Sequence, residues 1–295
     1  MNGILPLWKP KGMTSFDCVA KCRRYFNTKK VGHTGTLDPE VEGVLPICIG
    51  NATKIVPFLT DTKKIYLGTV ALGTTTETED ATGKVIEEKE VVSMPTKTEI
   101  ENALQKFQGA IQQIPPMYSA VKVNGKKLYE YARANEEVER PVREVFIHDI
   151  QLLAIDDKKN TFDLYVECSK GTYIRTLCVD IGKVLGYPAH MHQLERIKTG
   201  SFSKKNTVTF AMIEEAAAEN KQEQLLSPIS EGLGHLLHKE VNEALKVRIK
   251  NGQKLAISDA PKTDEPFVFT NNQEVLAIYG RHPEKPDQIK PLRVF

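Results

Sequence analysis

The stretch Gly32-His33-Thr34-Gly35-Thr36-Leu37-Asp38-Pro39 is dense in turn-forming residues and predicts a loop. Asp38 stands out within it, because a residue that precedes proline is restricted to extended backbone geometry and apolar residues flank this one. A carboxylate in such surroundings is partly desolvated unless a partner pairs with it. Asp38 is therefore a candidate catalytic residue, and an ordinary turn-forming aspartate is the alternative that the local sequence leaves open.

On both sides of this loop the hydrophobic pattern changes between the helical period and the alternation of strands. The loop itself follows a predicted helix and precedes a short apolar segment at 44–49. The polar stretch 74–94 predicts a hairpin or loop, and Asn124-Gly125 is a strong hairpin signal. The predicted helices cover 15–26, 52–59, 95–109, 128–139, 174–185 and the start of 212–234, and the predicted strands cover 64–73, 145–155, 161–168 and 190–202.

From residue 238 onward the pattern changes to short strands separated by polar turns. Several short strands in a segment of this size predict a small β-barrel appended to a larger domain. The fold class that the whole pattern predicts is α+β. The apolar segments of the tail that indicate strands lie at 247–249, 267–270, 274–279 and 289–295.

The net charge of +2 is small, but its distribution along the 295 residues is uneven. Residues 1–33 contain seven Lys and Arg and one acid, Asp17, whereas 77–90 contain six acids and two lysines. This asymmetry indicates a side that faces a polyanion and an acidic side that faces solvent. Ordinary surface charge on both segments remains the alternative.

A second group of candidate residues lies at the start of the amphipathic helix predicted at 174–185. Arg175 is suited to bidentate pairing with a buried carboxylate. Tyr173 has the chemistry to stack on a base or to hydrogen-bond to an acid, and Tyr66 lies on a predicted strand. A tyrosine packed in the core is the alternative for each of the two.

Several other classes of protein are disfavoured by missing patterns. The chain has no phosphate-binding loop, no dinucleotide fingerprint and no serine-hydrolase elbow. Its five cysteines favour reduced thiols, and no spacing brings four metal ligands together, so neither a metal site nor a cofactor is predicted. No apolar run approaches the roughly 18 to 20 residues of a membrane helix, and no signal peptide is evident. We expect a cytoplasmic protein that does not contact a membrane.

Five motifs in a fixed order closely resemble the TruB family of bacterial tRNA pseudouridine-55 synthases. Together they span residues 8 to 202, whereas the resemblance of the tail to the family's C-terminal PUA domain is weaker. The five segments are Trp8-Lys9-Pro10-Lys11-Gly12-Met13-Thr14-Ser15, the stretch from Gly32 to Leu45, Lys64-Ile65-Tyr66-Leu67-Gly68, Lys170-Gly171-Thr172-Tyr173-Ile174-Arg175-Thr176-Leu177, and Leu194-Glu195-Arg196-Ile197-Lys198-Thr199-Gly200-Ser201-Phe202.

The resemblance implies a role for each matching residue. Asp38 matches the catalytic aspartate, Arg175 the arginine that pairs with it, and Tyr173 a tyrosine proposed to assist proton transfer. For the substrate, Tyr66 matches the residue that stacks on the target base and His33 the residue that enters the RNA loop as the base leaves. Lys9, Pro10 and Leu194 match residues that line the site, and Lys11, Lys21, Arg24 and Arg196 are further candidates for RNA contacts.

Two positions depart from the family pattern. Glu195 stands where related sequences often have a basic residue, and Val41-Glu42 stands where a small and a neutral residue are usual. We expect these departures to weaken local contacts with RNA. Neither of them alters the residues matched to catalysis.

The resemblance also implies an architecture and a partner. It predicts a catalytic domain of the pseudouridine synthase type at 1–237, with a mixed and largely antiparallel sheet, and a PUA-like RNA-binding domain at 238–295. Within the first domain, 118–143 matches a mobile element that closes over the RNA. The implied substrate is the T-arm of tRNA, in which a monomer isomerises uridine 55 by base flipping, without cofactor, guide RNA or obligate protein partner.

Three alternatives remain at the level of sequence. A guide-RNA-dependent synthase shares the core motifs, although the long 74–143 region favours the stand-alone bacterial form. In the second alternative the protein is an RNA-folding chaperone, whose main function is to assist the folding of tRNA. A PUA-type binding module without chemistry is disfavoured, because it needs neither the Leu-Asp-Pro loop nor Arg175.

Overall fold

A computed structural model describes residues 1–60 and 62–295. The helices, in chain order, are α1 (Ser15–Tyr25), α2 (Val56–Thr60), α3 (Lys97–Gln105), α4 (Leu128–Arg133), α5 (Ile174–Leu185), α6 (Phe210–Ala218), α7 (Ile229–Gly232) and α8 (Glu243–Lys250). The strands are β1 (Gly3–Lys9), β2 (Val31–His33), β3 (Glu42–Ile49), β4 (Lys64–Leu72), β5 (Thr74–Thr76), β6 (Val85–Glu88), β7 (Gly109–Gln113), β8 (Lys122–Val123), β9 (Lys126–Lys127), β10 (Arg143–Asp156), β11 (Thr161–Cys168), β12 (Ala189–Thr199), β13 (Phe202–Ser203), β14 (Leu237–Glu240), β15 (Leu255–Ala256), β16 (Phe267–Asn271), β17 (Glu274–Arg281) and β18 (Gln288–Val294).

The chain forms two compact units, and the first of them is discontinuous in sequence. It joins Met1–Thr62 to Thr199–Phe295, whereas the second comprises Lys63–Lys198. The core of the first unit brings Ile4 and Val44 together with Val268 and Ile278 from the tail. The position 237/238, where the sequence predicts a domain boundary, therefore lies inside the first unit.

In the first unit, β3 is the strand that leads out of the loop containing Asp38. It pairs antiparallel with β1 along its length and with β2 at its end, where Val31 lies opposite Ile49. Helix α1 begins with a capping box in which Thr14 and Asp17 each accept the other's backbone N–H. The periodicity of the sequence therefore identified this helix correctly.

The second unit is built on a sheet with the strand order β12-β4-β11-β10-β7. The β10–β11 hairpin and the β4–β11 pair are antiparallel, and a strand was predicted from the sequence in each of these three segments. Helix α5 has eight buried residues and ends at Gly186, which adopts the left-handed conformation (φ 81°) that favours glycine at a helix C-terminus. The predicted hairpin at 74–94 is also confirmed, as β5 and β6.

The tail forms a separate curled sheet with the order β14-β16-β17-β18-β15. Strands β14 and β16 are parallel and the remaining pairs are antiparallel. Phe267, Phe269 and Tyr279 are fully buried in its core, with the rings edge to face. The small barrel predicted from the sequence is thus a half-barrel, and the α+β fold class is confirmed.

Three predicted elements differ from the observed ones. The segment 247–249 lies in helix α8, because the Asn242 side chain caps it by accepting the Leu245 N–H at 2.9 Å. The predicted helix at 128–139 ends after Arg133, where Asn135 adopts a φ of 51°. The predicted helix at 52–59 is a 3₁₀ turn followed by α2, which places Pro57 in the first turn, where a missing N–H is tolerated.

Candidate active site

The loop that carries Asp38 is fixed by a buried hydroxyl from α1. Ser15 Oγ accepts the Leu37 N–H at 2.9 Å and donates to the Leu37 carbonyl at 3.2 Å. The Val41 N–H donates to the Asp38 carbonyl, which closes the turn on the other side. Asp38 itself is half-buried. Its backbone is therefore held in place between two strands while its side chain keeps some exposure.

Lys9 supports the same loop from beneath. Its side chain is completely buried, and Nζ donates to the carbonyls of Pro10, Met13 and Pro39 at 2.9, 2.6 and 3.0 Å. The Pro39 carbonyl also accepts the Gly12 N–H. Lys9 thus ties the N-terminal motif to the residue after Asp38 and places a buried cation beside the loop.

Tyr66 and Leu194 lie on neighbouring strands of the second unit. Tyr66, on β4, is 8% exposed and lies opposite Val166 of β11, and Leu194, on β12, is 9% exposed. Gly68 explains how β12 and the start of α5 approach β4, because a Cβ there would lie 3.3 Å from Leu194 Cδ1 and 3.8 Å from Ile174 Cγ2. Gly68 belongs to a quoted motif, but the sequence did not indicate this spacing role.

The start of α5 carries Arg175 and Tyr173. Arg175 is 5% exposed, and its guanidinium donates to the carbonyls of Thr78 and Tyr118, each at 3.0 Å. Tyr173 is half-buried and occupies the N-cap position. Arg175 is therefore held by contacts to segments that lie far away in the sequence.

Gln113, at the end of β7, is a site residue that the sequence analysis missed. Its side-chain amide donates to the Tyr173 carbonyl at 3.1 Å and accepts the Tyr173 N–H at 3.0 Å. The side-chain nitrogen and the side-chain oxygen of this 2% exposed glutamine each have a partner, so Gln113 fixes the backbone from which α5 begins. No local pattern marks it, since its partner lies 60 residues further along the chain.

The candidate RNA-contacting residues differ in their availability. Lys11 and Arg24 are exposed. Lys21 pairs with Glu214 at 3.0 Å and lies 4.4 Å from the centre of the Phe210 ring, and the hydrogen bond with Glu214 raises the pKa of Lys21. A phosphate would have to replace this ion pair to bind Lys21.

Arg196 and His33 occupy less open positions. Arg196 is 1% exposed on β12, and its candidate contact with RNA stays a prediction. His33 is half-buried on β2, where it lies opposite Ile47. Pro10 is half-buried at the end of β1.

Two further observations concern the described residues, 1–60 and 62–295. No group of three or more His, Cys, Asp or Glu side chains in them is arranged to hold a metal ion. Within the same ranges, no helix has the length and hydropathy needed to cross a membrane. All five cysteines are buried free thiols, as predicted, and burial raises the pKa of Cys18 to about 11 and that of Cys22 to about 12.

Two family models match consecutive parts of the chain. The TruB family pseudouridylate synthase N-terminal domain matches residues 23–174, and the tRNA pseudouridylate synthase B C-terminal domain matches residues 175–237. The second match ends at residue 237, which is the first residue of β14, the strand with which the half-barrel begins.

The similar proteins agree with these matches. The chain is 68% identical to a tRNA pseudouridine synthase B from Oceanobacillus iheyensis and 51% identical to one from Listeria innocua, over 100% of this chain and 98% of each relative. Among solved structures, a Cbf5-Nop10-Gar1 complex has a chain with a TM-score of 0.74 and 26% identity, over 99% of this chain and 83% of that one. One chain of an H/ACA RNP bound to a substrate RNA has the same fold, with a TM-score of 0.76 and 23% identity. The chain belongs to the TruB family of pseudouridylate synthases.

Proposed function

We propose that this enzyme isomerises uridine 55 in the T-arm of tRNA to pseudouridine, with Asp38 as its catalytic carboxylate. The observation that carries the proposal is the half-buried Asp38 in a loop clamped by Ser15 and Lys9, within a chain of the TruB family. The relatives named tRNA pseudouridine synthase B support tRNA as the substrate.

The reaction breaks the N1–C1′ glycosidic bond and forms a C5–C1′ bond. C5 loses its hydrogen as a proton and N1 gains one, so no electrons are exchanged and no cofactor is required. Asp38 has to be ionised, whether it attacks C1′, attacks C6 or removes the C2′ proton. We assign Arg175 as the opposite charge that favours this ionised form, and Tyr173 as the group that assists proton transfer.

The target uridine has to leave its stack before the reaction. Tyr66 supplies an aromatic face for it, and stacking of this kind contributes roughly 1–3 kcal/mol per base. Leu194, whose Cδ1 approaches the position of a Gly68 Cβ, adds an apolar wall on the neighbouring strand. His33 fills the space that the base leaves and offsets part of the cost of unstacking.

We further propose how the rest of the chain binds RNA. The exposed Lys11 and Arg24 contact phosphates. Residues 238–295 act as a PUA-like RNA-binding domain, and 118–143 closes over the bound T-arm. The enzyme acts as a cytoplasmic monomer without guide RNA or obligate protein partner, and it also assists the folding of tRNA.

Tritium release from T-arm RNA labelled at uridine C5 tests this proposal, because formation of the new carbon–carbon bond expels that hydrogen. We expect release by the wild-type enzyme, no release by Asp38→Asn, and no release when the position-55 uridine is replaced. Tight binding without release would overturn the stand-alone synthase in favour of a chaperone or binding role. Release only after addition of guide RNA and partner proteins would indicate the guided type.

A further inference from the structure

The loop between β5 and β6 is tightly closed by its own polar side chains. Asp80 Oδ1 accepts hydrogen bonds from Thr78 Oγ1 at 2.7 Å, from Thr82 N at 2.9 Å and from Thr82 Oγ1 at 2.6 Å. A Cβ at Gly83 would lie 2.3 Å from Thr78 Oγ1, so the two arms of the loop are in close contact. These contacts therefore fix the shape of the loop.

Glu79, in this loop, has a backbone conformation that is unusual for its residue type. Its φ is 63°, in the left-handed region that disfavours residues with a Cβ. The other non-glycine residues with positive φ in the described part of the chain are asparagines and Gln273. Because an asparagine or glycine would relieve the strain, the glutamate needs a reason that lies in its side chain.

The side chain of Glu79 reaches the first turn of α5. Its Oε2 accepts a hydrogen bond from Thr176 Oγ1 at 2.7 Å, and Thr176 is 6% exposed. The N-cap residue, Tyr173, provides no side-chain hydrogen bond to the helix. Glu79 therefore contacts the first turn of α5 from a different part of the chain.

The surroundings of Glu79 connect it to Arg175. The carbonyl of Thr78, one residue before Glu79, accepts a hydrogen bond from the Arg175 guanidinium. The carbonyl of Glu79 itself accepts a hydrogen bond from the Met191 N–H of β12. The pKa of the Glu79 carboxyl is raised overall, and burial is the largest cause. The hydrogen bond from Thr176 and the charges of Arg175 and Arg140 lower the pKa, and the charge of Asp180 on α5 raises it.

We propose that Glu79 is a positioning residue for the reaction, which holds the first turn of α5 and thereby the Arg175 guanidinium in their working geometry. The proposal rests on the function proposed above, in which Arg175 stabilises the ionised form of Asp38. Displacement of a catalytic group by a fraction of its contact distance is enough to slow an enzyme substantially. Glu79 acts on the reaction only through Arg175.

The test measures the single-turnover rate of tritium release with enzyme in excess over T-arm RNA, together with the dissociation constant. For Glu79→Ala we expect a rate about tenfold below that of the wild type and a dissociation constant within about twofold. Thr176→Val, which removes the donor but keeps the shape, should produce a similar loss, and Thr176→Ser should restore the rate. Glu77→Gln, an exposed carboxylate in the same loop, is the matched control and should behave as wild type.

Stability separates a positioning role from a structural one. A raised pKa in the folded state means that stability linked to this group is present at low pH and is lost as the pH rises through the folded-state pKa. Ionisation of Glu79 thus opposes folding, and Glu79→Gln, which retains an acceptor for Thr176, should unfold at the same urea concentration as wild type or a higher one. A structural role would instead make the rate fall together with the stability.

The last experiment uses the Arg175→Ala variant, whose tritium release is followed over hours. If Glu79 acts through Arg175, adding Glu79→Ala to this variant should change the rate by less than about twofold. Independent, multiplying losses would overturn the proposal, and so would wild-type rates for both Glu79→Ala and Thr176→Val. Should Glu79→Ala fail to fold, Thr176→Val and Thr176→Ser decide in its place. Absence of release by the wild type and by Glu77→Gln would mark failure of the proposed function instead.

Discussion

The Asp38 loop of the first unit and the start of α5 in the second unit are supported in opposite ways. Beneath the loop with the carboxylate lies a buried cation, Lys9, which holds three carbonyl oxygens. Beside the helix start with the Arg175 cation lies a half-buried carboxylate, Glu79, which accepts a hydrogen bond from Thr176. Each of the two charges proposed to be functional thus has a supporting charge of opposite sign within its own unit.

The difference lies in what each support contacts. Three backbone carbonyls accept hydrogen bonds from Lys9, so Lys9 fixes the path of a loop that has no regular structure. At α5 the backbone is fixed by the neutral Gln113, and the carboxylate acts on a side chain. Loops need their backbone groups satisfied one by one, whereas a helix satisfies most of its own and needs support only at its end.

The largest effect is expected for Asp38→Asn. The amide keeps the shape of the carboxylate but cannot act as nucleophile or base, so turnover should fall by on the order of 10⁴-fold or more. The dissociation constant for tRNA should stay within a few-fold, measured by filter binding. Appreciable activity in this variant would remove Asp38 from the catalytic role.

Arg175→Ala should be the second most damaging change. In the proposed mechanism this buried charge stabilises the ionised form of Asp38, so its loss is expected to lower the rate by about 10²- to 10³-fold. Single-turnover tritium release measures it. The wild-type rate in this variant would show that the reaction does not need the guanidinium.

The two supports are compared directly by Lys9→Met and Gln113→Leu. Lys9→Met leaves three carbonyls without their shared donor and should lower the free energy of unfolding by about 2–4 kcal/mol. Gln113→Leu removes two hydrogen bonds and should cost about 1–3 kcal/mol. Urea denaturation of both variants tests the order, and the reverse order would contradict the idea that the loop depends more on its support.

The candidate site was partly predictable from the sequence because its reacting residues lie in local motifs. The turn-rich run around Asp38, the amphipathic stripe after Arg175 and the alternation around Tyr66 are all patterns over a few residues. Strands β4, β10, β11 and β12 and helix α1 were predicted for the same reason, whereas strand β7 was not predicted. Helix α8 was missed, because the single residue that determines it, the cap Asn242, precedes a segment that also alternates like a strand.

The supporting contacts could not be predicted, because the partners are distant in sequence. Lys9 and Pro39 are 30 residues apart, Gln113 and Tyr173 are 60 apart, and Glu79 and Thr176 are 97 apart. Hydrophobic periodicity carries no information about such pairs. Burial of Arg196 was unpredictable for a similar reason, since a basic residue in a strand is usually at the surface.

The smallest expected effect distinguishes two basic residues of α1. Each lysine or arginine that contacts a phosphate contributes about one unit to the slope of log affinity against log salt concentration. Arg24→Ala should therefore reduce the slope by about one. Lys21→Ala should reduce it by less, because Lys21 has to leave Glu214 before it binds a phosphate.

Glu214→Gln sharpens this comparison, since it frees Lys21 from its ion pair without removing the lysine. Binding of T-arm RNA should become slightly tighter and its salt slope steeper, because an unpaired ammonium is available to the phosphate. The slope is measured by titration between low and physiological salt. If Lys21→Ala and Arg24→Ala reduce the slope equally, and Glu214→Gln leaves it unchanged, the ion pair does not limit the contact between α1 and RNA.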